Sequence, residues 1–172
     1  SDWFKLKKLM GFLKSTGADV LTLDASSSGV IVWHVDAAFG VHPDLKSHTG
    51  ATMSLGEGVI QSVSTKQKVN SRSSTEAELV SADDVISKVL WTKLFLEAQG
   101  CEVKDNVIYR DNQSSMKLEQ NGKASYGKRT RHFNIKYFYI TDLIEKKQVS
   151  IKYCPTDDMI ADYMTKPLTG AK

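Results

Sequence analysis

The stretch GVIVWHVDAAFG, residues 29–40, decides how the rest of the chain is read. Val30, Ile31, Val32, Trp33 and Val35 crowd together, and Gly40 closes the run. Three consecutive β-branched residues suit a pleated backbone better than a helix, and they predict a strand buried on both faces. Asp36 breaks the pattern. It follows a largely apolar run and precedes AAFG, where a strand would normally continue apolar or turn through Gly or Asn. A carboxylate delivered there needs a compensating charge, and a metal ion would supply one.

Downstream, TGATMSLGEGVIQSVSTKQ gives two further strands around the GEG turn at residues 56–58, so residues 29–66 read as three antiparallel strands. The period then changes. Leu79, Ala82, Ile86, Leu90 and Leu94 are spaced by three or four, one face of a helix from Ser74 to Gln99, with Gly100 as its stop. NVIYRD (106–111) is a short strand, and NQSSMKLEQNG a helix closed by Asn121 and Gly122. RTRHFNIKYFYITDLIEKKQ (129–148) is a second long helix and VSIKYC (149–154) another strand. PTDDMIADYMTK (155–166) reads as a last helix started by Pro155 and Thr156. Upstream, SDWFKLKKLMGFLKSTG predicts a short amphipathic helix, and ADVLTLDAS an extended segment with a turn after it. The order βββ-α-β-α-α-β-α makes a mixed sheet with helices on its faces.

The 172 residues are one domain's worth, with 41% hydrophobic and 25% charged side chains, as in a soluble globular domain. No apolar run reaches the roughly 18 residues of a membrane span, and the N-terminal stretch lacks the features of a signal peptide. Cys101 and Cys154 are expected to be reduced thiols in an intracellular protein. The net charge is only +3, but eight Lys or Arg face two acids between Asn121 and Lys152. Such a segment suits either a solvated helix face or a polyanion such as nucleic acid.

The acids gather at element ends. Asp36 ends the first strong strand, Glu76 and Glu78 open the first long helix, Asp111 ends VIYRD, and Asp157, Asp158 and Asp162 lie in the last helix. Each has a plain structural alternative. Glu76 and Glu78 complement a helix dipole behind Thr75 or Ser74 as N-cap, Asp111 forms a turn or cap, and Asp157 and Asp158 are first-turn acids. Several acids converging without a His or Cys cluster would select a hard cation, Mg²⁺ or Mn²⁺. Two such ions about 4 Å apart are the usual device for in-line attack on a phosphodiester.

Five landmarks, VDAAFG, SSTEAEL, IYRDNQSS, KRTRHFNIKYFYI and CPTDDMIADYMTKPL, occur in order between residues 29 and 168. On these the chain resembles the ribonuclease H domain of a copia-type LTR retrotransposon polyprotein. LKKLMGFLKSTG resembles the connecting helix that precedes that domain. The resemblance implies residues 1–28 as connecting helix and linker, 29–168 as the domain and 169–172 as a tail. The implied fold is α/β and ribonuclease H-like, a five-stranded mixed sheet of order 3-2-1-4-5 with helices on both faces. The implied activity is cleavage of the RNA strand of an RNA/DNA hybrid with two Mg²⁺ ions, Mn²⁺ substituting.

In that scheme Asp36 would bridge both metals, Glu78 and Asp111 would hold the ion on the leaving-group side, and Asp162 would help hold the one that activates water. Glu78 is preferred to Glu76 because AEL fits the family's helix register. Asp162 is preferred to Asp157 and Asp158 because it lies one turn further in. Ser73, Ser74, Thr75 and Gln113 match positions that contact the hybrid's minor groove and a DNA phosphate, where the 2′-OH tells RNA from DNA. Lys128, Arg129 and Arg131 are expected to bind nucleic acid, and His132 of the TRH motif either to touch substrate or assist the site, or to cap and pack its own helix. The family's His before the last acid has no counterpart between Lys152 and Asp162. The expected partners are the hybrid and the parent polymerase domain, with the isolated domain monomeric and working in a cytoplasmic virus-like particle.

Two rivals share the fold, a non-catalytic hybrid-binding domain and a DNA-cutting nuclease. Zinc-ligand spacing and a G-x-S-x-G elbow are both absent. GEG reads as a hairpin turn, and Trp91 with Phe95 as packing rather than a base-stacking platform.

Overall fold

A computed structural model of the chain describes residues 2–25, 29–122 and 139–166. The elements are α1 (Asp2–Ser15), β1 (Val30–Ala38), β2 (His48–Ser54), β3 (Gln61–Lys66), α2 (Ser74–Ala98), β4 (Asp105–Arg110), α3 (Gln113–Asn121), α4 (Tyr139–Glu145), β5 (Ser150–Tyr153) and α5 (Asp162–Thr165). A single 3-10 turn at Thr156–Asp158 precedes α5. The five strands form one sheet of order β3-β2-β1-β4-β5. β1 pairs antiparallel with β2, and β2 with β3, while β1–β4 and β4–β5 are parallel. The order 3-2-1-4-5 is the one that the resemblance implies, in a mixed sheet with helices: the ribonuclease H-like fold.

Alternation along β1 sorts the two faces. Ile31, Trp33 and Val35 are fully buried and pack with Val85 and Val89 of α2 and with Ile140 and Leu143 of α4. The opposite face is thinner: Val30, Val32 and His34 are only half-buried, and His34 stacks on Tyr109 with centroids 5.2 Å apart. A second small cluster of Cys154, Met159 and Ala161 packs against Tyr109 there, so the segment from the 3-10 turn to α5 covers that side. The expectation of a strand buried on both faces therefore holds fully only towards the end of β1, where Asp36 and Ala38 are buried on the side covered by α5.

Other departures have local causes. The buried stripe of α2 runs through Ala82, Val85, Ile86 and Val89, not out to Leu94, which is 61% exposed. Trp91 and Phe95 stack on each other, centroids 5.0 Å apart, and both are exposed rather than packed in the core. The predicted last helix is interrupted. Pro155 and Thr156 open only the 3-10 turn, and the helix restarts at Asp162. Of the predicted helix 129–148, the described part is α4. The segment before residue 26 forms no strand, but Asp24 N donates to Glu57 O (3.0 Å) at the β2–β3 turn. Helix α1 has no buried residue, and no helix among the described residues is long and apolar enough to cross a membrane.

Candidate active site

Three elements deliver three carboxylates to one place. Asp36 comes from the far end of β1, Glu78 from the start of the second turn of α2, and Asp111 from the residue after β4. One oxygen of each lies within 4.8 Å of the others. Parallel β1 and β4 bring Asp36 and Asp111 to the same end of the sheet, and the crossover through α2 sets Glu78 above them.

Glu78, not Glu76, turns inward. Ser73 caps α2, its Oγ accepting from Glu76 N at 3.2 Å, while the Glu76 carboxylate accepts from Arg72 N at 2.6 Å. This reciprocal cap keeps Glu76 at the rim. The N-cap is thus Ser73, one or two residues before the Ser74 or Thr75 expected; Ser74 is exposed and Thr75 half-buried. Asn112 rather than Asp111 caps α3, its Oδ1 accepting from Ser114 N and Ser115 N at 3.0 Å. Asp111 is thereby left for the cluster, and Gln113 stands exposed on the first turn of α3.

Asp162 is buried at the start of α5 but is not one of the three clustered carboxylates; its Oδ1 pairs with Lys166 Nζ at 2.6 Å. Asp157 and Asp158 are exposed. The same helix touches Asp36 through Thr165, whose Oγ1 donates to Asp36 Oδ2 at 2.5 Å. Thr156 Oγ1 donates to Asp111 Oδ2 at 3.0 Å. Lys128, Arg129, Arg131 and His132 lie outside the described residues.

α5 approaches β2 so closely that only glycine fits beneath it. Gly50, opposite Asp36 in the β1–β2 register, leaves room for Thr165 and Met164. A Cβ there would stand 2.4 Å from Thr165 Cγ2 and 2.9 Å from Ala161 O. Ser64 Oγ, donating to Met164 O at 2.8 Å, ties the helix to β3. Gly50→Ala should cost about 1–3 kcal/mol by overpacking and shift α5 away from Asp36. A thermal melt beside an activity assay checks this: activity should fall further than stability alone accounts for.

Burial dominates the electrostatics. It pushes the Asp36 carboxyl above its usual range, opposed by the Thr165 hydrogen bond and Lys166 and reinforced by Asp111 and Asp162. Glu78 is pushed up to about 8, again by burial, with Arg110 opposing and Asp36, Asp111 and Glu119 adding repulsion. Acids gathered against their own repulsion fit a hard divalent cation. Both cysteines are free thiols, Cys101 exposed and Cys154 buried.

The sequence reading missed four partners of the site: Thr165, Thr156, and the fully buried pair Arg110 and Glu119. Arg110 Nη2 lies 3.0 Å from Glu78 Oε2 and 3.4 Å from Glu119 Oε1. A signal existed for the pair. Arg110 follows buried Ile108 by two in a strand, and Glu119 follows buried Ser115 by four in a helix, so two charges fall on core faces.

No family model matches the chain. Curated relatives do. The chain is 30% identical over 165 residues to the retrovirus-related Pol polyprotein from transposon TNT 1-94 of Nicotiana tabacum, covering 95% of this chain and 12% of that protein. It is 30% identical over 169 residues to the Pol polyprotein from transposon RE2 of Arabidopsis thaliana, covering 97% and 12%. The chain thus spans about an eighth of these relatives. Among solved structures, the ribonuclease H1 LC11, isolated from compost, superposes with a TM-score of 0.57 at 12% identity, over 79% of this chain and 92% of that one. The foamy viral protease-reverse transcriptase in complex with an RNA/DNA hybrid gives 0.56 at 13% identity, over 86% of this chain and 21% of that one.

Proposed function

From homology to a segment of retrovirus-related transposon Pol polyproteins and a ribonuclease H fold, we propose an endonuclease that hydrolyses the RNA strand of RNA/DNA hybrids. On this reading the chain is the ribonuclease H portion of a copia-type reverse transcriptase, with residues 29–168 as the domain and 1–28 connecting it to the polymerase. It acts with that polymerase in a cytoplasmic particle. The observation that carries the reading is the convergence of Asp36, Glu78 and Asp111, with Asp162 buried close to Asp36.

Asp36, Glu78 and Asp111 would hold divalent cation, with Asp162 completing a second position. Bound Mg²⁺ supplies Lewis acidity, stabilising charge on the phosphate and easing ionisation of the attacking water. The chain's own groups orient the ligands: Thr165 fixes Asp36, Thr156 fixes Asp111, and Lys166 holds Asp162. Ser73, Ser74 and Thr75 at the start of α2 and Gln113 at the start of α3 would contact the minor groove and a DNA phosphate; Ser74 and Gln113 are exposed, Ser73 and Thr75 half-buried. The non-catalytic rival is disfavoured because unneutralised acids beside a phosphate backbone weaken binding.

Cleavage of an end-labelled RNA/DNA hybrid, with and without Mg²⁺, tests this beside duplex DNA and duplex RNA of the same sequence. Metal-dependent cutting of only the hybrid's RNA strand is the expected result. Cutting of duplex DNA, or hybrid binding without cutting, would overturn it.

A pH dependence follows. Glu78 is protonated in the folded, metal-free protein up to about 8 and only to 4.5 when unfolded. Its raised value favours the fold below 4.5, and that contribution is lost as pH climbs through about 8. A cation must displace the proton at low pH and relieves repulsion at high pH. The rise in unfolding temperature on adding Mg²⁺ should therefore be larger at about pH 9 than at about pH 6. Calorimetric melts at both pH values check the order.

A further inference from the structure

Arg110 is fully buried, and among the described residues its side chain meets Glu78, Ser81, which touches Glu78, and Glu119. Its Nη2 donates to the Glu78 main-chain carbonyl at 2.5 Å, and Nη1 donates to Ser81 Oγ at 3.1 Å. Ser81 Oγ in turn donates to that same carbonyl at 2.7 Å. The 3.0 Å contact with Glu78 Oε2 is ionic rather than a well-directed hydrogen bond. One guanidinium thus grips both the backbone and the side chain of a single residue.

Stability does not account for this arrangement. Buried ion triads are weak stabilisers, and apolar replacements of equal volume are often neutral or better. Nor would an arginine alone suit the place, since a cation about 3 Å from a carboxylate opposes a second cation on the same group. Glu119, at 0% exposure, answers that difficulty: outside the three-acid cluster, it offsets the charge of Arg110 at Nη2, the nitrogen that meets Glu78.

We propose that Arg110 and Glu119 form a neutral positioning clamp, in which Arg110 aims the Glu78 carboxylate into the cluster and Glu119 cancels its charge. The inference rests on the metal-dependent reading of the site and names what makes Glu78 a competent ligand. Both are positioning residues, since neither touches substrate. β4 serves the site twice: Arg110 points to the α2–α3 side, and Asp111, one residue on, joins the cluster.

The test is Mn²⁺ binding by titration calorimetry on the full chain, without nucleic acid, beside thermal melts and hybrid cleavage. Glu119→Gln keeps shape and strips the cancelling charge. It should weaken Mn²⁺ binding roughly 10–100-fold and raise the metal needed for half-maximal cleavage, with the KM for hybrid unchanged. The double variant Arg110→Met with Glu119→Met removes the clamp as an apolar pair. It should melt near the wild-type temperature yet bind Mn²⁺ more weakly by a similar factor. A purely structural role predicts the opposite pairing, wild-type metal affinity wherever the melt is wild-type, and that result overturns the clamp. Should the double variant not fold, Glu119→Gln decides alone. Wild-type protein that neither binds Mn²⁺ nor cuts hybrid overturns the metal-dependent reading and the clamp with it. Wild-type binding and cutting with both variants unchanged overturns the clamp only.

Discussion

Asp36→Asn is expected to lower hybrid cleavage by roughly a thousandfold while raising the unfolding temperature of the metal-free protein. The two effects have one cause. Asp36 is 3% exposed and sits among acids that repel it. Asparagine keeps the shape and can still accept the Thr165 hydroxyl, so the fold loses a repulsion and little else. Cleavage loses the central anionic ligand, and metal stabilisation of a phosphoryl transition state is worth several kcal/mol, about three powers of ten. Single-turnover cleavage and a melt in chelator measure both on one preparation. Activity within tenfold of wild type, or a lower melting temperature in chelator, would remove Asp36 from the centre of the site.

Arg110→Met should have the largest effect on stability. It leaves Glu78 and Glu119 buried without their shared cation, and breaking a buried pair from one side costs about 3–5 kcal/mol. For a chain of this size that is a fall of roughly 6–20 °C in melting temperature. Restoring neutrality with a second change at Glu119 should recover most of it. A melt within two degrees or so of wild type would mean that water or proton uptake already neutralises these acids.

The sequence exposed the carboxylates unevenly. Asp36 was legible because a charge inside an apolar strand has few structural excuses. Glu78 was legible from helix register, and the cap by Ser73 with Glu76 held at the rim agrees with that choice. The cap itself was misplaced because Ser73, Ser74 and Thr75 are chemically equivalent cappers, and only the backbone angles distinguish them. Asp162 was selected as lying deep in one helix, yet it opens a four-residue helix after a break. Segments that short are held by tertiary contacts such as those at Gly50 and Ser64, which no local pattern encodes. Arg110 and Glu119 each left a local sign, a charge on a core face, but that they pair shows only when both faces are known.

The bond between Thr165 and Asp36 spans 129 residues of chain. A ribosome adding about 5–20 residues per second needs on the order of ten seconds to cover that interval. Asp111 is made 54 residues before Thr165, so for the last part of that interval, about 3–11 seconds, all three carboxylates exist while the helix that pins the first of them has yet to be made. The helix that carries Thr165 therefore sets Asp36 in place only after all three carboxylates have been made.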